Sequence, residues 1–131
     1  MKNRFSPTGR LRGFTLIVLI IVMAIVSLLL TLAAPRYFRS IDRSKETVLK
    51  ANLSATRDAL DKFHADTGRY PNDLAELVDR KYLRTPPWDP IEESSDGWTI
   101  VAPQGGEAGG VYNIFSSAQG NGSNEIPYAE W

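Results

Sequence analysis

Apolar positions follow two different rhythms along this chain, and the change between them divides it. From Phe14 to Ala34 no residue is charged, and Thr15, Ser27 and Thr31 supply the only hydroxyls. A helix of this stretch would be ~31 Å long, about the hydrocarbon thickness of a bilayer. Beyond Pro35 the apolar residues thin out to Phe38, Ile41, Val48, Leu49, Leu53, Leu60 and Phe63. Their spacing places them on one face of a helix. Arg39, Asp42, Lys45, Glu46, Lys50, Arg57, Asp58, Asp61 and Lys62 fall on the polar side. One continuous helix from about Phe14 to Ala65 is expected, kinked or locally opened at Pro35, where a backbone donor is missing. Its inner half suits a membrane, and its outer half suits a globular head.

Gly68, in Asp66-Thr67-Gly68, is placed to stop the helix. Asn72 then caps a short helix over Asp73 to Arg80 with Leu74, Leu77 and Val78 as its buried stripe. Thr85-Pro86-Pro87-Trp88-Asp89-Pro90 is excluded from regular structure by its prolines. Trp98 to Val101 and Val111 to Phe115 read as strands around a glycine-rich loop, Gln104 to Gly110. Ser116 to Trp131 is loop-like, with Tyr128 and Trp131 packing back down. The predicted fold is α+β: a long N-terminal helix, transmembrane in its inner half, packed by its outer half on a small domain. That domain holds a short helix and a two- or three-stranded antiparallel sheet. Leu53 and Leu60 are expected beneath the strands carrying Trp98 and Phe115, with Trp88, Trp98 and Trp131 in the core.

The chain has 131 residues, room for one small domain beside a long helix. Its formal charge of zero hides a segregation. Lys2, Arg4, Arg10 and Arg12 make a basic leader without an acid, and residues 36–50 are also net basic. From residue 85 onward there are seven acids and no Lys or Arg. The leader orients the N-terminus to the cytoplasm and the head outward. An acidic head without a basic patch argues against nucleic acid as a partner. There are no cysteines, although exported domains of this size often use disulfides.

The joint between leader and apolar run is the most specific signal. A secretory signal peptide is cleaved after a short apolar core. Here the small residue, Gly13, stands before the run, followed by Phe14-Thr15-Leu16-Ile17. This resembles the class III signal of type IV pilins and of the pseudopilins of type II secretion systems. Pro35, at position 22 counted from Phe14, belongs to the same resemblance. It implies residues 1–13 as a leader peptide, 14–34 as the transmembrane or filament-core helix, and 35–131 as amphipathic helix plus periplasmic head. It further implies cleavage between Gly13 and Phe14 by a prepilin peptidase, N-methylation of Phe14, and assembly through Phe14, Val18 and Pro35. Val18 departs from the pattern, because most relatives carry glutamate at this fifth mature position. Certain minor, tip-located pseudopilins lack that glutamate as well.

The second half carries the resemblance onward. Gly68-Arg69-Tyr70-Pro71, Tyr82-Leu83, Asp89-Pro90, Tyr112…Phe115-Ser116 and Tyr128…Trp131 match landmarks of the G-type major pseudopilin. That group implies calcium in the last loop, here Ser117-Ala118-Gln119-Gly120-Asn121-Gly122 and then Ser123-Asn124-Glu125. Ser117, Asn121 and Glu125 are the candidate ligands. Calcium wants six to eight oxygens, several charged, and Glu125 is the loop's one carboxylate. A polar loop that holds itself together is the competing reading. No cofactor beyond calcium is implied.

Nothing points to catalysis. His64, the single histidine, has no Cys, second His or positioned acid at motif spacing. Gly105-Gly106 and Gly109-Gly110 lack the lysine and following helix of a phosphate loop and read as turns. The expected function is a structural subunit of a pseudopilus or related filament in the bacterial inner membrane and periplasm. Its expected partners are further copies of itself, the peptidase, the membrane, an assembly platform with its ATPase, and minor pseudopilins. A tip subunit and a membrane-tethered periplasmic binding domain that never polymerises are the alternatives.

Overall fold

The computed structural model describes residues 8–131, so Lys2 and Arg4 of the leader lie outside the described residues. Helix α1 runs Thr8–Thr67, helix α2 Leu74–Asp79, strand β1 Trp98–Val101 and strand β2 Asn113–Ser116, and a 3-10 turn closes the chain at Tyr128–Glu130. This is the expected α+β order. The chain divides into two compact units, one ending at Ile41 and the other running Asp42–Trp131.

The described residues of the first unit, 8–41, are helical, and from Gly13 onward they bury no core among themselves. Helix α1 begins at Thr8, upstream of the expected Phe14. Gly13 is only a weak breaker, and a helix once nucleated extends cheaply through residues that lack a proline. The helix also continues through Pro35. Every residue from Gly13 to Ser40 is exposed within this chain. The hydroxyls in the apolar stretch are satisfied locally. Ser27 Oγ donates to the Met23 carbonyl at 2.7 Å, and Thr31 Oγ1 donates to the Ser27 carbonyl at 2.8 Å. Such back-bonding lets hydroxyls sit in an environment without water.

In the second unit the outer part of α1 buries Leu49, Leu53, Ala59, Leu60 and Phe63 against Leu77, Trp98, Val111, Ile114, Ala118, Tyr128 and Trp131. The expected face is corrected at its start. Phe38 is 64 % and Val48 46 % exposed, while Glu46 and Thr56 are buried. The buried row 46, 49, 53, 56, 60, 63 advances by threes and fours, and Val48 falls off it. Thr56 fits because its hydroxyl donates to the Asn52 carbonyl at 2.8 Å.

Gly68 ends α1 as expected. Its φ of 75° is left-handed, and its N–H donates to the His64 carbonyl at 2.8 Å. Asp73, rather than Asn72, caps α2, its carboxylate accepting from the Glu76 N–H at 2.8 Å. Of the expected stripe, Leu77 is fully buried while Leu74 and Val78 are half-buried. Strands β1 and β2 pair antiparallel, with Trp98 opposite Ser116 and Ile100 opposite Ile114. Alternation along β2 turns Ile114 and Ser116 inward. Phe115 therefore faces away from the core, half-buried, and lies under the Arg57 guanidinium at 5.3 Å. Trp88 is likewise not core. It is 48 % exposed, and its carbonyl accepts from Asn52 Nδ2 at 2.7 Å.

Candidate functional site

Two regions carry the candidate residues, one in each unit. In the first, Gly13 lies inside helix α1, and a Cβ built there would meet nothing within 4 Å. Glycine within a helix costs about 0.8–1 kcal/mol relative to alanine. Among the described residues, neither packing nor backbone geometry requires it at that position. Phe14 and Val18 are exposed, and the stretch they open is long and apolar enough to cross a membrane. No acid or base lies within it to mark a polar site.

In the second unit, the Gly-Arg-Tyr-Pro corner is fixed by a paired ion contact. Arg69 donates to both oxygens of Glu76, at 2.5 and 3.2 Å, and the Asn72 N–H donates to Glu76 at 2.8 Å. These bonds, the Arg69 pair foremost, bring the Glu76 carboxyl down to about 2. The glycine-rich loop lies along this corner. Tyr70 N–H donates to the Ala108 carbonyl at 3.0 Å, and Gly110 N–H to the Pro71 carbonyl at 2.9 Å. A Cβ on Gly109 would come to 2.3 Å from the Tyr70 carbonyl oxygen, and one on Gly110 to 2.2 Å from that of Asn72. These glycines serve a close backbone approach, which supports the turn reading. His64 stacks on Tyr70 at 4.3 Å, with Glu107 3.8 Å from its Nε2.

The Asp-Pro landmark also has a structural task. Asp89 is fully buried, accepts from the Ile91 and Glu92 N–H groups at 2.9 and 3.1 Å, and takes the Ser116 hydroxyl at 2.5 Å. It ties the proline-rich segment to β2. Trp98 donates its indole N–H to the Pro87 carbonyl at 2.9 Å in the same layer.

Two residues assigned to the polar helix face do far more than solvate it. Arg57 donates to Asn113 Oδ1 and the Ile114 carbonyl at 2.9 Å each, and to the Trp131 main-chain oxygen at 2.7 Å. Glu46 accepts from the Ser123 N–H, the Ser123 hydroxyl and the Tyr128 hydroxyl. Burial pushes the Glu46 carboxyl up. The Ser123 and Tyr128 hydrogen bonds, helped by Lys50, outweigh that and leave it lowered. Burial, then the bond to Glu46, raises the Tyr128 phenol to about 12. The chemical type of these residues gave no signal, because charge alone placed them outside.

The candidate calcium ligands Ser117, Asn121 and Glu125 are all exposed. Asn121 is bridged to Pro127, and Glu125 takes a left-handed φ of 64°. Among the described residues no three His, Cys, Asp or Glu side chains converge as a metal site. With one loop carboxylate, and with Ser123 given to Glu46, this donor set does not fit an ion that asks for several charged oxygens.

No protein-family model and no solved structure matches the chain. Curated proteins do. It is 31 % identical to type II secretion system core protein G of Klebsiella michiganensis over 82 % of this chain and 75 % of that protein. It is 26 % identical to the core protein G of Pseudomonas aeruginosa over 91 % and 94 %. It is 40 % identical to the type IV major pilin protein PilA of Myxococcus xanthus over 57 % of this chain, which spans only 33 % of that longer pilin. With the long apolar helix, the small α+β head and these relatives together, the chain belongs to the type IV pilin-like proteins, as a non-catalytic pseudopilin of the core protein G type.

Proposed function

We propose that this chain is a structural subunit of a type II secretion pseudopilus, inserted in the inner membrane and then drawn into a helical filament of its own copies. The observation that carries this is the uncharged helical stretch Phe14 to Ala34, exposed on all sides, directly behind a glycine that nothing among the described residues requires. An apolar surface of this extent must be covered, by lipid before assembly and by the same stretch of neighbouring subunits afterwards. The leader holds the N-terminus in the cytoplasm and leaves the head in the periplasm. Cleavage between Gly13 and Phe14 by a prepilin peptidase, followed by methylation of Phe14, removes the leader charges and frees the helix end. Extraction from the membrane then falls to an assembly platform and its ATPase, with minor pseudopilins starting the filament.

Mass spectrometry of the protein from cells with the peptidase tests this. The wild type should begin at methylated Phe14, and Gly13→Leu should keep residues 1–13. Equal processing of both sinks the reading, and a wild type that retains residues 1–13 favours a tethered binding domain. Val18 supports a second role in the same filament, that of a tip subunit, because it lacks the carboxylate that would face a subunit ahead.

A further inference from the structure

We propose that Glu46 fastens the loop 120–131 in place of a cation, so that the last loop of this pseudopilin is held by a protein carboxylate and needs no metal. Glu46 projects from helix α1 and is only 6 % exposed. Its Oε1 accepts from the Ser123 N–H at 2.8 Å and from the Tyr128 hydroxyl at 3.0 Å, and its Oε2 accepts from the Ser123 hydroxyl at 2.6 Å. These donors lie 77 and 82 positions along the chain. A carboxylate so buried is costly unless it is fully hydrogen-bonded, and three donors, one of them a backbone N–H, meet that need.

The rest of the loop is committed in the same inward sense. Gly122 N–H donates to the Ile126 carbonyl at 2.9 Å, Glu125 N–H to the Gly122 carbonyl at 3.0 Å, and Tyr128 N–H to the Gly120 carbonyl at 3.1 Å. Asn124 Oδ1 accepts from the Ile126 N–H at 3.2 Å. The Gly120, Gly122 and Ile126 carbonyls and the Asn124 side-chain oxygen are thus engaged with loop N–H groups, which leaves Glu125 as the loop's one carboxylate to offer a cation. Trp131 packs so tightly on the loop that a Cβ on Gly122 would stand 2.2 Å from its ring. A calcium ion holds a loop by gathering its oxygens, whereas Glu46 holds this glycine-rich loop to the helix by gathering its donors. Here the negative charge comes from the helix and the donors come from the loop, the inverse of a loop that offers carboxylates to a cation.

The test uses the full chain in detergent, before assembly, so its outcome is separate from the filament reading. Thermal midpoint and the rate of protease cleavage within 119–127 are measured in EDTA and in excess calcium chloride. The wild type should give the same midpoint and the same slow cleavage in both. Glu46→Gln should speed loop cleavage at least several-fold, and calcium should not restore it. Ser123→Ala and Tyr128→Phe remove one partner each without burying a new group, and should speed cleavage by smaller factors if Glu46→Gln fails to fold. A wild-type loop that becomes labile in EDTA, or gains stability in calcium, overturns the proposal. So does a loop whose cleavage rate ignores all three substitutions.

Discussion

Arg57 reaches the main-chain oxygen of Trp131, 74 positions further on, at 2.7 Å. The same guanidinium holds the Asn113 side chain and the Ile114 carbonyl of β2. One side chain on the long helix therefore pins both the sheet and the end of the chain to it. The head has no disulfide to do so, and with two short strands its sheet is too small to stand alone.

Replacing Arg57 by Ala should lower the stability of the detergent-solubilised chain by about 1.5–3 kcal/mol, the range for hydrogen bonds to a charged group. Arg57→Lys should recover only part of that, since an ammonium cannot span three acceptors in a planar fork. Urea midpoints check both. A lysine variant equal to wild type would mean that charge alone matters there.

Leu60 is fully buried in the cluster that contains Trp98 and Ile114. Leu60→Ala should cost about 2–5 kcal/mol. Phe115→Ala, on the outer side of β2, should cost clearly less. The urea midpoints of the two variants should therefore separate, and coincidence would contradict the inward–outward assignment of the strand.

Stability should fall at both ends of the pH range. Glu76 sits at about 2 in the fold against an ordinary 4.5, so its contribution is complete above pH 4.5 and is lost as pH drops towards 2. Glu46, also lowered, acts in the same direction. Tyr128, raised from 10 to about 12, contributes fully below pH 10 and loses that contribution as pH climbs through 12. Thermal midpoints across pH should show this plateau. Glu76→Gln should flatten its acid limb, and an acid limb unchanged in that variant would remove Glu76 as its source.

Val18→Glu distinguishes the two filament roles. In a main subunit the new carboxylate would find a neighbouring N-terminal amine, and assembly should be equal or better. In a tip subunit it would stay unpaired in lipid at a cost of a few kcal/mol, and yield should drop. Sheared-filament blots with subunit counts read the result. Sub-stoichiometric wild type together with loss of the variant would set aside the main-subunit reading.

Local order was written in the sequence wherever one residue type has one physical outcome. A 21-residue uncharged run gives a helix suited to a membrane, Gly68 stops α1, prolines clear residues 85–90 of regular structure, and the β-rich runs from Trp98 and from Val111 give the two strands, the second shifted to Asn113–Ser116. The glycine pair 109–110 was legible as a turn, though not the backbone it lies against. What tertiary structure alone decided is which charged residues of α1 turn inward. Glu46 and Arg57 have the same composition signal as exposed Asp42 or Lys62, and only the folded arrangement brings Ser123, Tyr128, Asn113 and Trp131 to them. Val48 and Trp88 fail in the opposite sense, as large apolar side chains that the small head leaves outside its core. Hydrophobic periodicity is a property of neighbours in sequence. The satisfaction of a buried charge depends on partners far along the chain, and no local pattern records them.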